Sequence, residues 1–562
     1  MTDAGTQTYS YDSVNRLTQV TRGTDTFAYA YDLVGDITRR TYPDSTVVDY
    51  AYDDDSRLAT VVTGGQTTTY AYDAAAHLTQ TTLPSGNGYV EERTYDRAGR
   101  LTRVKSAKGT SVLADFSSTL DPVGNPTQVV RDGNAPGTTT YAYDIRDRLT
   151  EVCFQVSCPG GSDPFIRWTY DAVGNRLTEA RPSGTTTYSY NAADELAAAS
   201  STSYTYDENG NETAAGSRTF IYDLANRLSS TSSGGTTTTY TYDGEGNRLQ
   251  ASTGSQPSAK TNFLWDVNDS LSQLALERDG DGSPIRRYVY GRAIRVSMTS
   301  GGSAHYYHYD RLGSVANVTS STGTTEWTYA YEPFGAAQTE AQDDPSAPTN
   351  VMKFASELAD ATGLYYLRAR QYDSLTARFL RADPASADQK EPYTSAYAYV
   401  ADRPTVFIDP SGKTLQPTDA AQAWASLDLS GCNGSKGGGD ALRALQASEF
   451  PIGPLNSCRT ATFRGNAGVI HVQTDKKTNR LSFSVTMFNP MWNFGALFTW
   501  SAYLGYDKIG GRLQGYPPHS SWPQRVLRTG AVFSLRVHGE KFDGRVLHET
   551  DSVPVKCIYW PW

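Results

Sequence analysis

One short pattern returns through the chain and dictates what it can fold into. It reads YSYDSVNRLTQV from Tyr9, YAYDLVGDITRR from Tyr29, YAYDDDSRLATV from Tyr50 and YAYDIRDRLTEV from Tyr141. It recurs as TYDAVGNRLTEA from Thr169, IYDLANRLSS from Ile221 and YTYDGEGNRLQA from Tyr240, with looser copies at Leu120–Asn125, Tyr188–Leu196 and Tyr306–Val315. The spacing drifts around roughly 20 residues, within the range of stacked supersecondary units. In Y-x-Y-D the side chains alternate with period two, so both tyrosines face one side of a strand. The next four residues make a turn. Gly and Asn accept positive φ there, and the Asp at its entrance can accept hydrogen bonds from turn amides. R-L-T then opens the returning strand with its Leu inward. A lone hairpin is barely stable, so neighbours must extend the sheet, and a long twisted sheet curls. Recurrence at one register makes the tyrosines a packing ladder, apolar in body with a polar tip, rather than a row of ligand-stacking rings.

Composition agrees. The 562 residues hold 38 Tyr against 18 Phe and 9 Trp, and Thr, Gly and Ser are abundant. Tyr and Thr favour strands while Gly, Asn and Asp favour tight turns, so the chain reads as all-β. Its length exceeds what one compact core covers, which predicts several domains or a repeat architecture. The net charge of −10 is uneven. The segment after Lys413 carries 15 Lys and Arg against 10 Asp and Glu, a net of +5, leaving the body near −15. An acidic body with a basic tail suits a cationic cargo in an acidic container.

Of the five cysteines, Cys153 and Cys158 are close enough for a small loop disulfide, and Cys432, Cys458 and Cys557 leave one unpaired if two join. No His/Cys grouping has zinc spacing, so neither a metal nor a cofactor is expected. The N-terminus MTDAGTQTYSYD has no basic n-region and no apolar h-region of a secretory signal. It also begins within the pattern, as a piece of a longer reading frame would.

These repeats resemble the RHS/YD-repeat family, which includes bacterial RHS polymorphic toxins, the C component of insecticidal toxin complexes, wall-associated bacterial proteins and animal teneurins. The resemblance covers about residues 1–413. HYDRLGSVANVTSSTGTTEWTYAYEPFG (His308–Gly335) is similar to the family's pre-core block. LADATGLYYLRARQYDSLTARFLRADP (Leu358–Pro384) resembles its RHS-associated core signature, and YAYVADRPTVFIDPSGK (Tyr397–Lys413) resembles the end of that core. The resemblance implies hairpins spiralling into a hollow shell over residues 1–307, a core segment at 308–413 that plugs it, and a variable C-terminal domain at 414–562. In bacterial toxin members the core also cuts the chain just after a D-P-x-G-L motif, and the released domain stays inside as cargo.

That cut is an aspartic autopeptidase reaction. One carboxylate activates water and a second, protonated, donates to the amide, and a close pair separates the two roles. The resemblance assigns Asp383 and Asp409 to these roles, with Arg381 to orient or stabilise charge and Asp402 and Arg403 as further candidates. The cleavage motif is Asp409, Pro410, Ser411, Gly412 and Lys413. Two positions depart from the family pattern: Ala382 stands where an arginine precedes the first aspartate, and Lys413 replaces the final Leu.

The tail after Thr414 breaks the repeat. It keeps four Tyr but holds six of the nine Trp. An Ala-rich helical stretch (DAAQAWASLDL) and a Gly-rich linker precede segments that read as strands from Ala461, making a small mostly-β domain with some helix. Four of the seven His lie in it. His471, His538 and His548, with Glu549 beside the last, are candidates for acid–base work in a metal-independent nuclease, and the same residues also fit ordinary strand positions. The uncharged run Met487–Tyr506 is long enough to span a bilayer but is rich in aromatics and carries Pro490, which favours buried strands.

The leading expectation is an RHS-type toxin carrier, secreted or cell-surface, whose partners are its own C-terminal domain as cargo, an immunity protein, and a secretion-system or cell-surface component. Two alternatives remain: a cell-surface adhesion or carbohydrate-binding protein with a Trp-rich binding tail, and a displaced cassette without present activity.

Overall fold

The fold was analysed in a computed structural model of the chain. It describes residues 6–384 apart from 161, 255, 257, 258 and 293, then 395–418, and beyond these the backbone of strands set between Thr460 and Ile558. Two compact units divide the chain. The first is Met1–Ser10, Gln19–Ala30 and Thr38–Leu427; the second is Tyr11–Thr18, Tyr31–Ile37 and Asp428–Trp562.

The repeats, together with the part of the core segment up to Gln342, form a single sheet of 32 strands, from Gln7–Tyr11 to Ala337–Gln342. Every strand pairs antiparallel with its neighbour in sequence, as in Val47–Tyr52 with Leu58–Thr63 and that strand with Gln66–Tyr72. Each turn is built as its sequence dictates. At Asp53, Oδ1 accepts the amides of Asp55 at 3.0 Å and Arg57 at 2.9 Å, and Oδ2 takes Arg57 Nε at 2.8 Å. The residue before the arginine has positive φ: Gly99 in one repeat, Asn15 and Asn226 in others, and Ser56 where no glycine is available, as has Ala76 where His77 takes the place of the arginine.

Two regularities explain why the pattern demands Tyr and why the ribbon winds. The second tyrosine of a repeat donates its hydroxyl to the carbonyl of the inward residue one hairpin earlier: Tyr72 to Leu58 at 2.7 Å, Tyr170 to Leu149 at 2.6 Å, Tyr242 to Leu228 at 2.7 Å. Phe would fill the same space and leave that carbonyl without its donor. The register also slips by one residue beside that tyrosine, where Ala51 faces Thr60 but Tyr52 faces Leu58, and the same slip recurs at Tyr72, Tyr143 and Tyr222. Such bulges bend a strand pair and increase its twist, so their repetition coils the ribbon.

Within the first unit the ribbon returns on itself. Tyr29 donates to Asp266 at 2.7 Å, Arg40 binds Asp266 and Asp269, both at 2.7 Å, and Arg278 meets Asp25 at 2.6 Å. Further along, Asn87 bonds Thr319 at 2.8 Å and Arg131 bonds the Tyr329 carbonyl at 2.8 Å.

The reading of the Leu of R-L-T as inward is corrected where the turn reads G-N-R-L. Tyr170 faces Arg176 and Tyr242 faces Arg248, whereas Tyr143 faces Leu149. In these G-N-R-L turns the extra residue moves the arginine into the inward position and sends Leu177 outward, where it is 41% exposed. The core segment makes this tolerable, because Arg248 bonds Asp360 at 2.9 Å and Arg176 stacks 4.6 Å from the Phe334 ring centre.

The predicted disulfide Cys153–Cys158 is formed, next to buried Phe165. In the second unit, Thr460–Gly465, Gly468–Asp475, Arg480–Met487, His519–Ser521 and Arg525–Val526 make one sheet, and Asp507–Gln514, Leu497–Leu504, Val532–Glu540 and Cys557–Ile558 another. Leu497–Leu504 is thus a strand paired on both sides. No helix among the described residues is long and apolar enough to cross a membrane. The Ala-rich stretch lies outside the described residues.

Candidate functional site

The core segment folds as a small sheet, Leu358–Ala359, Tyr365–Leu367, Arg370–Asp373 and Arg378–Phe379. Its aromatic residues Tyr365, Tyr372, Phe379 and Tyr399 share one buried cluster with Leu149, Val152, Ile166 and Trp168 of the repeats. Tyr372 and Tyr399 stack with ring centres 4.3 Å apart. The core is therefore held by apolar burial against the ribbon as well as by the arginines above.

The cation between the two candidate aspartates is Arg370. Its NH2 lies 3.0 Å from Asp383 Oδ2 and 3.1 Å from Asp409 Oδ2, with its side chain 2% exposed. Its NH1 donates to the Ala396 carbonyl at 3.1 Å, its Nε donates to the Gly412 carbonyl, and its guanidinium lies 3.4 Å from the Phe379 ring centre. Burial pulls this guanidinium below the ordinary arginine value, and the charges of Asp409 and Asp383 oppose that pull.

Asp409 also organises the motif that follows it. Its Oδ1 accepts the Ser411 hydroxyl at 3.0 Å and the amides of Lys413 and Thr414, both at 3.1 Å. The peptide bond after Lys413 therefore presents its nitrogen to this carboxylate. Gly412 turns the chain with φ +65°, and a Cβ there would stand 2.3 Å from the Leu367 carbonyl oxygen and 2.9 Å from Arg370 N. Arg368 holds the Pro410 carbonyl and pairs with Glu357 at 3.1 Å.

The other candidates lie elsewhere. Arg381 donates to the carbonyls of Asn226 and Ala225 in a repeat turn. Arg403 reaches Asp147 at 3.6 Å. Asp402 is buried beneath another repeat turn, in a run of three left-handed residues, Val400 to Asp402. A Cβ on Gly174 would stand 2.8 Å from its Oδ2, and burial pushes its carboxyl up to about 7. In the tail, His471 pairs with Thr462 and Ser484 in one sheet, and His538 pairs with Thr499 in the other. His548 and Glu549 lie outside the described residues. No group of His, Cys, Asp and Glu among the described residues could hold a metal ion.

Sequence reasoning missed Arg370 because nothing local marks it. The inward Arg176 and Arg248 did carry a signal, since Leu follows the turn Asp by six positions there and by five in repeats such as those of Asp53, Asp144 and Asp223.

Comparison with known proteins agrees with this architecture. The family model for the teneurin YD-shell matches residues 2–124 and 124–402. The tRNA3(Ser)-specific nuclease WapA of Bacillus spizizenii is 28% identical over 324 residues, 57% of this chain and 12% of that protein. The toxin subunit YenC1 of Yersinia entomophaga is 23% identical, over 58% of this chain and 40% of its own, and the probable deoxyribonuclease RhsB of Dickeya dadantii is 26% identical, over 58% and 23%. The chain thus spans well under half the length of these relatives. The crystal structure of TcdB2-TccC3 superposes with a TM-score of 0.58 and 20% identity over 70% of this chain and 22% of that one, a likeness of fold.

Proposed function

The chain belongs to the teneurin YD-shell family, and from that premise we propose that its repeats and core segment carry residues 414–562 as an effector or toxin and free it by cutting after Lys413. The observation that supports this best is the grip of Asp409 on the Lys413 and Thr414 amides, with Asp383 drawn to the same site by Arg370. Hydrolysis there balances simply. Water adds to the Lys413 carbonyl carbon and gives its proton to Asp383. Asp409, protonated for this step, delivers its proton to the Thr414 nitrogen as the C–N bond breaks, leaving an amine on Thr414 and a carboxylic acid on Lys413, whose proton returns to Asp409.

The nuclease and toxin names of the relatives support a harmful cargo, and the net +5 of the tail suits a phosphate-bearing target. The Cys153–Cys158 disulfide supports a life in an oxidising milieu outside the cytoplasm. Such a cargo calls for an immunity protein in the producing cell, and delivery calls for a secretion-system or cell-surface partner.

Expressing residues 414–562 alone tests the cargo. Arrested growth is expected, and unimpaired growth in several hosts would overturn the effector reading. A denaturing gel tests the cut. Two bands are expected, merging into one in Asp383→Asn, and a single full-length band from the unaltered chain would overturn it.

A further inference from the structure

We propose that Glu212 is a proton-operated latch between the repeat ribbon and the core segment, holding while its carboxyl keeps a proton and loosening as protons are withdrawn. The latch is independent of the cut.

Glu212 stands at the register where other repeats place an inward Leu. Tyr206 faces it as Tyr143 faces Leu149, and it is 7% exposed. Its backbone is a place where ribbon and core exchange hydrogen bonds. The Glu212 amide donates to the Leu380 carbonyl at 2.8 Å, and the neighbouring Asn211 forms an antiparallel bridge with Arg381. Leu380 is buried in one cluster with Phe220, Leu228 and Tyr242 of the ribbon. Opening this seam therefore exposes apolar surface and brings water to the Glu212 carboxyl in the same movement.

The closed seam gives that carboxyl a hydroxyl and no ion pair among the described residues. The Tyr206 hydroxyl donates to it at 3.3 Å. The guanidiniums around it are engaged elsewhere: Arg218 with Asp373 at 2.7 Å, Arg378 with the Asn175 side chain at 3.0 Å and the Asp194 carbonyl, Arg381 with the Asn226 carbonyl. Asp373 is a second buried acid of the core beside it. Tyr204 and Tyr206 on the preceding strand and Tyr222 on the following one complete the titratable surroundings. A buried carboxylate with a like charge nearby and no cation of its own is costly, so the closed seam keeps the proton. Burial first, and Asp373 second, push Glu212 from 4.5 up to about 8, against the pull of Arg218 and Arg378.

In the open seam the carboxyl returns to its ordinary value of 4.5 and ionises. Below 4.5 both states are protonated and the latch is tightest. Between 4.5 and about 8 closing takes up a proton, so each unit of rise weakens closure about tenfold. Above that nothing more is lost. The hold on the stretch that leads from Leu380 to Asp383 is thus set by the acidity of the surroundings.

Hydrogen exchange of the full chain tests the latch. The protection of the residue 212 amide, corrected for the intrinsic pH dependence of exchange, is followed from pH 5 to pH 8 in chains that all carry Asp402→Asn, which removes the other raised carboxyl of the docked core. With Glu212 in place, protection should fall by about 100-fold or more. In Glu212→Gln and in Glu212→Leu the fall should be at least about tenfold smaller. The hairpin of Gln66–Tyr72 with Leu78–Thr82 is the reference and should respond to neither substitution.

Protection at Glu212 that is the same at pH 5 and pH 8 overturns the proposal without any variant. An equally large fall in a folded variant overturns it too, since another group is then responsible. Should Glu212→Gln not fold, Glu212→Leu decides, because it restores the residue other repeats carry at that register. A fall of the same size in the reference hairpin shows that the whole ribbon responds rather than the seam, and also sinks the latch.

Discussion

Arg248 lies over the ring of Tyr366, its guanidinium carbon 4.3 Å from the ring centre, while the Tyr366 hydroxyl accepts the Arg248 amide and donates to the Gly246 carbonyl, both at 2.9 Å. A residue of the repeat ribbon and a residue of the core segment are thus locked through backbone and side chain at once. Asp360 completes the contact, binding Arg248 at 2.9 Å and accepting from Tyr240.

Replacing Arg248 with Leu, the residue at that register in most repeats, is expected to destabilise the first unit by about 3 kcal/mol. It leaves the Asp360 carboxylate buried without its cation. Equilibrium unfolding measures the loss. Arg57→Ala, which removes a partly exposed pair with Asp53, should cost less than about 1 kcal/mol. Equal losses would mean that the inward arginine is no more than another turn residue.

Ala76 occupies a turn position with φ +65°. Ala76→Gly relieves the left-handed strain and is expected to stabilise by about 0.5–1 kcal/mol after the entropy cost of glycine. A thermal midpoint that does not rise would contradict this.

Gly412 has the opposite requirement. Gly412→Ala drives a methyl group against the Leu367 carbonyl and should open the turn that presents Lys413 and Thr414 to Asp409, at a cost of roughly 2 kcal/mol or more. Protease access to the 409–414 turn reports it. Gly64→Ala, with φ +55° and nothing nearby, should cost about 1 kcal/mol.

Asp402 makes the docked core sensitive to pH. Its carboxyl faces Arg176, Arg148 and Arg378 with Asp144 nearby, yet burial dominates and pushes it from 3.8 up to about 7. The folded state then holds the proton more tightly than the unfolded chain. Below 3.8 both states are protonated and nothing is lost. Stability falls as pH rises between 3.8 and about 7, and is flat above. Asp402→Asn should therefore match the unaltered chain near pH 4 and exceed it at pH 8 by roughly 2–4 kcal/mol. Parallel stability curves across that range would sink the idea.

The turns and tyrosines were legible in the sequence because their causes are local. Asp53 grips amides two and four residues on, and Tyr72 reaches a carbonyl one hairpin back. Arg176 and Arg248 were half-legible, since one added residue in a turn shifts what points inward. Arg370 was not legible. Its partner Asp409 is 39 residues away, and only the pairing of short core strands brings them together. Arg381 looked the better choice because it stands two residues from Asp383, yet strand geometry turns it toward Asn226.

A sheet in which each strand pairs only with its predecessor and its successor has a direction. A hairpin leaving the ribosome can join an edge that already exists, and no strand needs one not yet made. Growth of this kind keeps the pairings of the ladder short in sequence, which favours orderly assembly of the ribbon before its distant turns meet. It also leaves one edge unpaired at every stage, an open invitation to strands from other chains. The small core sheet, Leu358–Phe379, is synthesised after the last strand of the ribbon, so its docking is a terminating step as well as a structural one.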